Sequence, residues 1–162
     1  MKLAMQPFVK QILLLVVLAL AAASGMSAQG RSIAVVVSSR NSSSSLSVGE
    51  LRKIFSGEKR NWPDGTKVKL ISRAPGTLER SALLKLLGKS EAEYKQYWTG
   101  KVYQGDADSE PLVLPSVGMQ KEALNAYPGA IALFDHVNVK PGMKVLKIDG
   151  KMPEDSGYPL TQ

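Results

Sequence analysis

The segment from Ser72 to Arg80 combines residue types that bind oxyanions. A predicted strand ends at Ser72, a Pro75-Gly76 turn follows, and Thr77 is placed to cap a helix. Free amides and the dipole at a helix N-terminus favour an anion, glycine permits close backbone approach, and an arginine can offer two donors to one oxyanion. We therefore predict an oxyanion site formed by Ser72, Arg73, Gly76, Thr77 and Arg80. The residues alone are equally compatible with an ordinary strand–helix turn flanked by solvated arginines.

Residue combinations typical of catalytic centres are missing from the sequence. The chain has no cysteine and a single histidine, His136, which stands beside Asp135 at the end of a predicted strand. A histidine in this place is usually structural, and no nucleophile elbow accompanies it. A transition-metal site would need a shell of carboxylates alone, which nothing in the sequence arranges. We expect no catalytic residue, no metal site and no cofactor, and hence no enzyme.

The polar stretch from Gly105 to Pro115 contains a cluster of acidic residues that suggests calcium. Its carboxylates belong to Asp106, Asp108 and Glu110. The stretch lacks the central glycine and the spaced closing glutamate of an EF-hand loop. We therefore interpret it as a solvated loop.

Strand and helix patterns alternate along the chain from residue 33 onwards. Apolar runs typical of buried strands lie at Ile33–Val37, Val68–Ile71, Ala130–Phe134 and Val145–Ile148. Between them we predict four helices. Capping residues start three of them at Ser47, Thr77 and Ser90, and glycines end these at Gly57, Gly88 and Gly100, while the fourth covers Met119 to Tyr127. This alternation predicts an α/β fold with a largely parallel sheet flanked by helices.

The first 28 residues have the three-part pattern of a secretory signal peptide. Lys2 and Lys10 precede an apolar run from Ile12 to Ala23, and small residues continue to Ala28. About a dozen apolar residues are too few to span a bilayer core, which needs roughly 20. We predict a signal peptide over residues 1–28 and one domain over residues 29–162, with cleavage after Ala23 as the second choice. The alternative is an uncleaved anchor helix.

Composition narrows the compartment and the class of partner. An exported chain without cysteine relies on packing rather than disulfides, which fits a bacterial periplasm. Loss of Lys2 and Lys10 lowers the formal net charge from +7 to +5. A modest positive charge suits small anions, anionic envelope polymers or lipid surfaces. No basic stripe interleaved with aromatic residues is present, so we do not expect nucleic acid as a partner.

Several segments in one order resemble a known family. Leu46–Gly57 and Trp62–Gly65 are similar to the signature of the phosphate-binding receptors of phosphate ABC transporters, which are class II periplasmic binding proteins. Later segments resemble the later parts of that family, and these are Pro128–Ile131, Leu146–Gly150 and Gly157–Leu160. Together these segments span nearly all of the predicted mature chain, in the order of the family.

The resemblance implies a fold and a site. It implies the periplasmic-binding-protein-like fold (class II), here as a single lobe, because the mature chain would begin near the middle of the family pattern. In such receptors an arginine and a Gly/Ser/Thr-rich turn at a helix start bind the oxyanion. By position, these binding residues correspond to Arg73, Gly76 and Thr77. Arg80 matches an arginine common in short members. The turn is shorter here than in the receptors.

Two functional hypotheses follow. The first is noncatalytic periplasmic binding of inorganic phosphate or a related oxyanion, with an ABC transporter permease or another envelope protein as the protein partner. The second is a periplasmic scaffold that kept the fold, lost high-affinity phosphate binding and now binds a partner. Association into an oligomer would restore a two-walled cleft and so favour the first hypothesis.

The export hypothesis predicts a mature N-terminus between Ser24 and Gln29, because small residues follow the apolar run there. Intact-mass measurement of protein from the envelope fraction checks this. A full-length mass in that fraction would show that the segment is kept as an anchor.

Overall fold

The computed structural model describes residues 30–162. The predicted signal peptide and its cleavage sites lie outside the described residues. Within residues 30–162, no helix is long and apolar enough to cross a membrane.

A five-stranded sheet in the order β4-β3-β5-β1-β6 forms the centre of the domain. Its strands are β1 (Ile33–Val37), β3 (Lys69–Arg73), β4 (Leu112–Leu114), β5 (Ala130–Asp135) and β6 (Lys144–Val145). Strand β3 pairs in parallel with β4 and β5, whereas β1 pairs antiparallel with β5 and β6. Four strands therefore run in one direction and β1 runs in the other, which confirms a largely parallel α/β sheet.

Strand β1 runs antiparallel to its neighbours, whereas a parallel arrangement was expected. All five of its residues are buried, as its continuous apolar run predicts. The inference that such a strand has parallel neighbours is wrong here, because both of its neighbours are antiparallel. Burial on both faces depends on layers that cover the sheet, and an antiparallel strand inside a covered sheet has the same composition.

The predicted strand Val145–Ile148 is divided between two sheets. Lys144–Val145 forms β6, while β7 (Lys147–Ile148) pairs in parallel with β2 (Ser45–Leu46) in a separate two-stranded sheet. The polar stretch from Gly105 to Pro115 is a loop except at its end, where β4 forms. A strand of three residues is too short to produce a recognisable alternation.

Four helices cover the two faces of the main sheet. They are α1 (Val48–Phe55), α2 (Leu78–Leu87), α3 (Glu91–Tyr103) and α4 (Val117–Ala126), and a 3-10 turn follows β5 at His136–Asn138. The capping boxes at Ser47 and Ser90 and the cap at Thr77 are confirmed. Helix α3 runs past Gly100 to Tyr103, because one internal glycine costs only about 1 kcal/mol relative to alanine.

Alternating residues of the central strands serve two separate cores. Val35 of β1 and Leu133 of β5 pack on the side of α1, α2 and α3, with Phe55 and Trp98 among their neighbours. Val36 and Phe134 pack on the other side with residues of α4. The C-terminal tail closes the first core, since the Tyr158 hydroxyl donates to the Ile33 carbonyl at 2.9 Å.

Phe55 tests the packing of α1, because it is 2% exposed and lies in the larger core. Phe55→Ala is expected to lower the free energy of unfolding by about 3–5 kcal/mol, since it removes a buried ring and leaves a cavity. Tyr103→Ala is the matched control, because Tyr103 is 92% exposed. Urea denaturation of both variants measures the difference, and equal stability of the two would contradict this packing.

Candidate functional site

The predicted oxyanion segment lies at the carboxyl edge of the parallel strands. Strand β3 ends at Arg73, a turn follows, and α2 begins at Leu78. Because β4 and β5 are parallel to β3, their carboxyl ends meet at the same edge. Ligands of open α/β sheets bind outside the carboxyl ends of the strands. The five predicted residues are thus brought together where the fold class would place a ligand.

The turn presents main-chain groups rather than hydroxyls. Gly76 has φ +84°, a left-handed conformation that favours glycine, and a Cβ built there would meet nothing within 4 Å. The hydroxyl of Thr77 accepts from the Arg80 amide at 3.2 Å and donates to the Ala74 carbonyl at 2.9 Å. By helix geometry the amides of Leu78 and Glu79 have no acceptor inside α2. The first turn therefore offers backbone donors next to an open glycine.

Each of the three guanidinium nitrogens of Arg80 donates to another residue of the domain. Its Nε donates to one Glu91 carboxylate oxygen at 3.0 Å and its Nη2 to the other at 2.5 Å. Its Nη1 donates to the buried Ser72 hydroxyl at 2.7 Å. The side chain is 5% exposed, so these bonds join the end of β3 to α2 and α3.

Tyr94 completes the surroundings of Arg80. The guanidinium carbon lies 4.1 Å from the centre of the Tyr94 ring, a cation–π distance. Burial raises the pKa of the Tyr94 hydroxyl to about 12, although the nearby charge of Arg80 opposes the rise. Hydrogen bonds from Arg80, aided by its charge, lower the pKa of the Glu91 carboxyl. The sequence assigned the guanidinium of Arg80 and the hydroxyl of Ser72 to a ligand. In the structure these groups instead bind other residues of the domain.

The guanidinium of Arg73 differs from that of Arg80. Its Nε and Nη1 are buried and have no hydrogen-bond partner among the described residues. The nearest carboxylate oxygen, on Glu79, is 4.0 Å from Nε, an ion-pair distance without a hydrogen bond. The Arg73 side chain is 12% exposed. Arg73 therefore keeps buried donors at the very edge where the predicted site lies.

Three charged residues that sequence reasoning did not assign to the site also lie there. Glu79, which is 5% exposed, accepts from the Asp135 amide at 3.2 Å. Asp135 is itself buried and accepts a hydrogen bond from Arg31. Arg31 and Asp135 meet because β1 pairs antiparallel with β5, with Ile33 opposite Asp135. No local spacing signals a contact between residues so far apart in the chain.

The carboxylates and hydroxyls of this arrangement are engaged with partners inside the domain. Each of the three buried or half-buried carboxylates faces an arginine, and the hydroxyls of Ser72 and Thr77 are held by main-chain or guanidinium partners. Within residues 30–162, no group of three or more His, Cys, Asp or Glu side chains is arranged to hold a metal ion. Guanidinium and amide donors at one edge are suited to an anion.

Two clefts in the described residues lie away from this edge, and the first of them is the larger. Its volume is about 340 Å³, and it is lined by residues that precede β3 and β4, among them Lys67, Val68 and Pro111. It therefore lies at the amino edge of these strands, opposite Arg73. A smaller cleft of about 210 Å³ lies between β1, β6 and α4.

Comparison with known proteins identifies the fold. The sequence matches no protein-family model, and the comparison with curated proteins gives no significant match. In structure, an ABC-type phosphate transport receptor from Vibrio cholerae is similar, with a TM-score of 0.62 and 21% identity over 77% of this chain and 49% of that chain. The described domain has the fold of half a phosphate-transport receptor.

Two further solved structures support the half-receptor fold. A substrate-binding protein with bound phosphate from Clostridium perfringens has a TM-score of 0.62 and 18% identity over 77% of this chain and 48% of that chain. PstS from Borrelia burgdorferi has a TM-score of 0.58 and 18% identity over 77% of this chain and 50% of that chain. The resemblance seen in the sequence is confirmed for the fold, and the chain spans about half the length of the structures that it matches.

The contact between Arg80 and Glu91 predicts a dependence of stability on pH. The folded state lowers the pKa of Glu91 below its ordinary value of 4.5, so its contribution is present above that pH and is lost as the pH falls through the folded-state pKa. Glu91→Gln is expected to reduce the free energy of unfolding at neutral pH by about 1–3 kcal/mol, since charged hydrogen bonds to Arg80 are lost. The difference from wild type should shrink as the pH falls below 4.5.

The control for this experiment is Glu122→Gln, which changes an exposed glutamate of α4. Urea denaturation of the three proteins at several pH values measures the effect. If the wild type and Glu91→Gln differ by the same amount at every pH, the carboxylate does not hold Arg80 as described.

Proposed function

We propose that this chain is a noncatalytic periplasmic binding protein for phosphate or a similar oxyanion, exported by its N-terminal segment. The proposal rests on the half-receptor fold together with the residues at the carboxyl edge of the sheet. One structural neighbour is described as a phosphate transport receptor and another as a substrate-binding protein of a phosphate ABC transporter. Their low identity to this chain means that the ligand must be argued from its own side chains.

The observation that carries the proposal is that two buried guanidinium nitrogens of Arg73, Nε and Nη1, have no hydrogen-bond partner among the described residues. A buried N–H without an acceptor is unfavourable, and more so when the group is charged. Most buried donors in folded proteins have a partner, so each exception needs an explanation. A bound oxyanion would accept from one of these two nitrogens together with Nη2, since a guanidinium presents adjacent donors to one ion, and would remove part of the unfavourable state.

The start of α2 supplies the second set of donors in this proposal. An oxyanion next to Arg73 would also accept from the amides near Gly76 and Thr77, and the helix dipole would favour its charge. The open space at Gly76 would let the ion approach the backbone closely. Side-chain hydroxyls contribute less in this arrangement, because Thr77 uses its oxygen to cap the helix.

We assign Ser72 and Arg80 a supporting part in the proposed site. Sequence reasoning expected both to contact the ion directly. Since Arg80 donates to Ser72 and Glu91, its role in the proposal is to fix the end of β3 and thereby the position of Arg73. Direct contacts are then left to Arg73 and the turn.

A one-sided site of this kind binds weakly. Charge-assisted hydrogen bonds contribute about 1.5–3 kcal/mol each, and a net binding energy of about 4 kcal/mol corresponds to millimolar affinity. A second wall from another copy of this chain or from an envelope protein such as an ABC transporter permease would raise the affinity.

A scaffold without ligand is the alternative, and one observation favours it. Glu79 lies beside Arg73 and already offsets part of its charge. A neutralised guanidinium attracts a small anion less strongly, so the domain would then serve as a binding surface for an envelope protein.

Calorimetric titration of the mature protein with phosphate and with sulfate separates the two functions. Binding should be saturable, should weaken with added salt, and should lose at least about tenfold in affinity in Arg73→Gln, because charged hydrogen bonds are removed. Arg73→Lys should also weaken binding, since a point charge cannot reproduce the bidentate geometry. Thr77→Ala should weaken it less, because the amides remain.

The control is Arg60→Gln, which removes the same charge from an exposed position at the opposite edge of the sheet. It should leave phosphate binding unchanged. A flat titration of wild-type protein up to tens of millimolar, as a monomer and in any oligomer it forms, would exclude the anion-binding proposal and favour the scaffold.

A further inference from the structure

The larger cleft lies far from the proposed oxyanion site. Lys67–Leu70, at the start of β3, form one of its walls, and Ala107–Pro111, just before β4, form another. Arg73 stands at the other end of β3. Any ligand of this cleft would therefore be bound independently of Arg73.

The floor of the cleft is apolar. Val68, Leu70 and Ala107 are half-buried and pack on the larger core, so their remaining surface faces the cleft. Trp98 and Ile54 lie beneath them. The cleft volume of about 340 Å³ is within the range of about 300–1,000 Å³ typical of pockets for small molecules.

The rim of the cleft carries an excess of positive charge. Four basic residues line it, Lys59, Arg60, Lys67 and Lys69, against two acidic residues, Asp108 and Glu110. Asp108 and Lys67 form an ion pair with each other, and Lys59 pairs with Glu50, so the excess comes from Arg60 and Lys69 against Glu110. Arg60 is exposed and forms no ion pair with a described residue, so its charge remains available to a ligand.

We propose that this cleft binds a small anionic amphiphile, a molecule with an apolar body and one carboxylate, sulfonate or phosphate head. The apolar floor would take the body, and the basic rim would take the head. A purely apolar ligand would leave the rim charges unmatched, and an inorganic ion would leave the floor exposed. The cleft therefore differs in ligand chemistry from the site at Arg73, and the proposal does not depend on phosphate binding there.

Titration with 2-naphthalenesulfonate, followed by amide NMR spectra of the 15N-labelled mature protein, tests the proposal. Saturable shifts are expected at residues 67–70 and 107–111, with a dissociation constant below about 1 mM. The neutral analogue 2-naphthalenemethanol should bind about tenfold more weakly, because it lacks the charge. Added salt should weaken binding of the sulfonate alone.

Two variants of the cleft and two controls locate the binding. Ala107→Leu fills the floor and should weaken binding at least about tenfold, and Arg60→Gln should weaken it about two- to fivefold, as expected for one exposed charge. Lys53→Gln removes an exposed charge outside the cleft, and Arg73→Gln changes the other site, so neither should alter binding. If Ala107→Leu does not fold, the effect of Arg60→Gln decides.

The proposal fails if no saturable shift appears at sulfonate concentrations up to about tenfold above 1 mM, or if the shifts centre on residues 73–79. It also fails if the neutral analogue binds as tightly as the sulfonate. Failure of phosphate to bind at Arg73 would not change these outcomes, because Arg73→Gln alters that site and leaves the cleft intact.

Discussion

The bidentate contact between Arg80 and Glu91 holds the candidate site in its shape. One guanidinium reaches Glu91 at the start of α3, Ser72 at the end of β3 and the ring of Tyr94. Breaking such a pair leaves an unbalanced buried charge, which is far more unfavourable than never having had the pair. Arg80 thus binds the end of the strand through Ser72, whereas the buried Nε and Nη1 of the neighbouring Arg73 have no partner in the part of the chain that the structure describes.

The different partners of Arg73 and Arg80 affect how tightly the proposed site can bind an anion. Had both guanidinium groups pointed to the same ion, the site would carry a strong positive field. Here Arg80 is neutralised by Glu91, and Glu79 lies 4.0 Å from Arg73. The proposed site therefore depends on oriented donors more than on net charge. A domain with the fold of half a receptor would give a ligand one wall, and tight binding would require a second wall from another chain.

Local signals in the sequence were sufficient for most of the helices and for the strand–turn–helix that carries the predicted site. Capping boxes at Ser47 and Ser90 act over three residues, so they could be recognised without knowledge of the fold. The strand–turn–helix from Ser72 to Thr77 was recognised in the same way. Strand β4 and the division of 144–148 between two sheets were missed, because pairing with distant strands, rather than local periodicity, determines them.

Sequence patterns could not predict which residues the charged side chains contact. Arg73 and Arg80 look alike in the sequence, yet one is held by a glutamate of the next helix and the other is not. The contact of Arg31 with Asp135 exists only because β1 lies beside β5. Spacing could indicate that the segment suits an anion, but only tertiary packing decides which guanidinium remains available.

The most direct test of this account is NMR observation of the arginine side-chain Nε–H signals during a phosphate titration. The account predicts a saturable shift of the Arg73 signal, while the Arg80 signal, bonded to Glu91, stays in place until high phosphate. An unmoved Arg73 signal, or a saturable shift of Arg80 in its stead, would contradict the claim that Arg73 carries the oxyanion site.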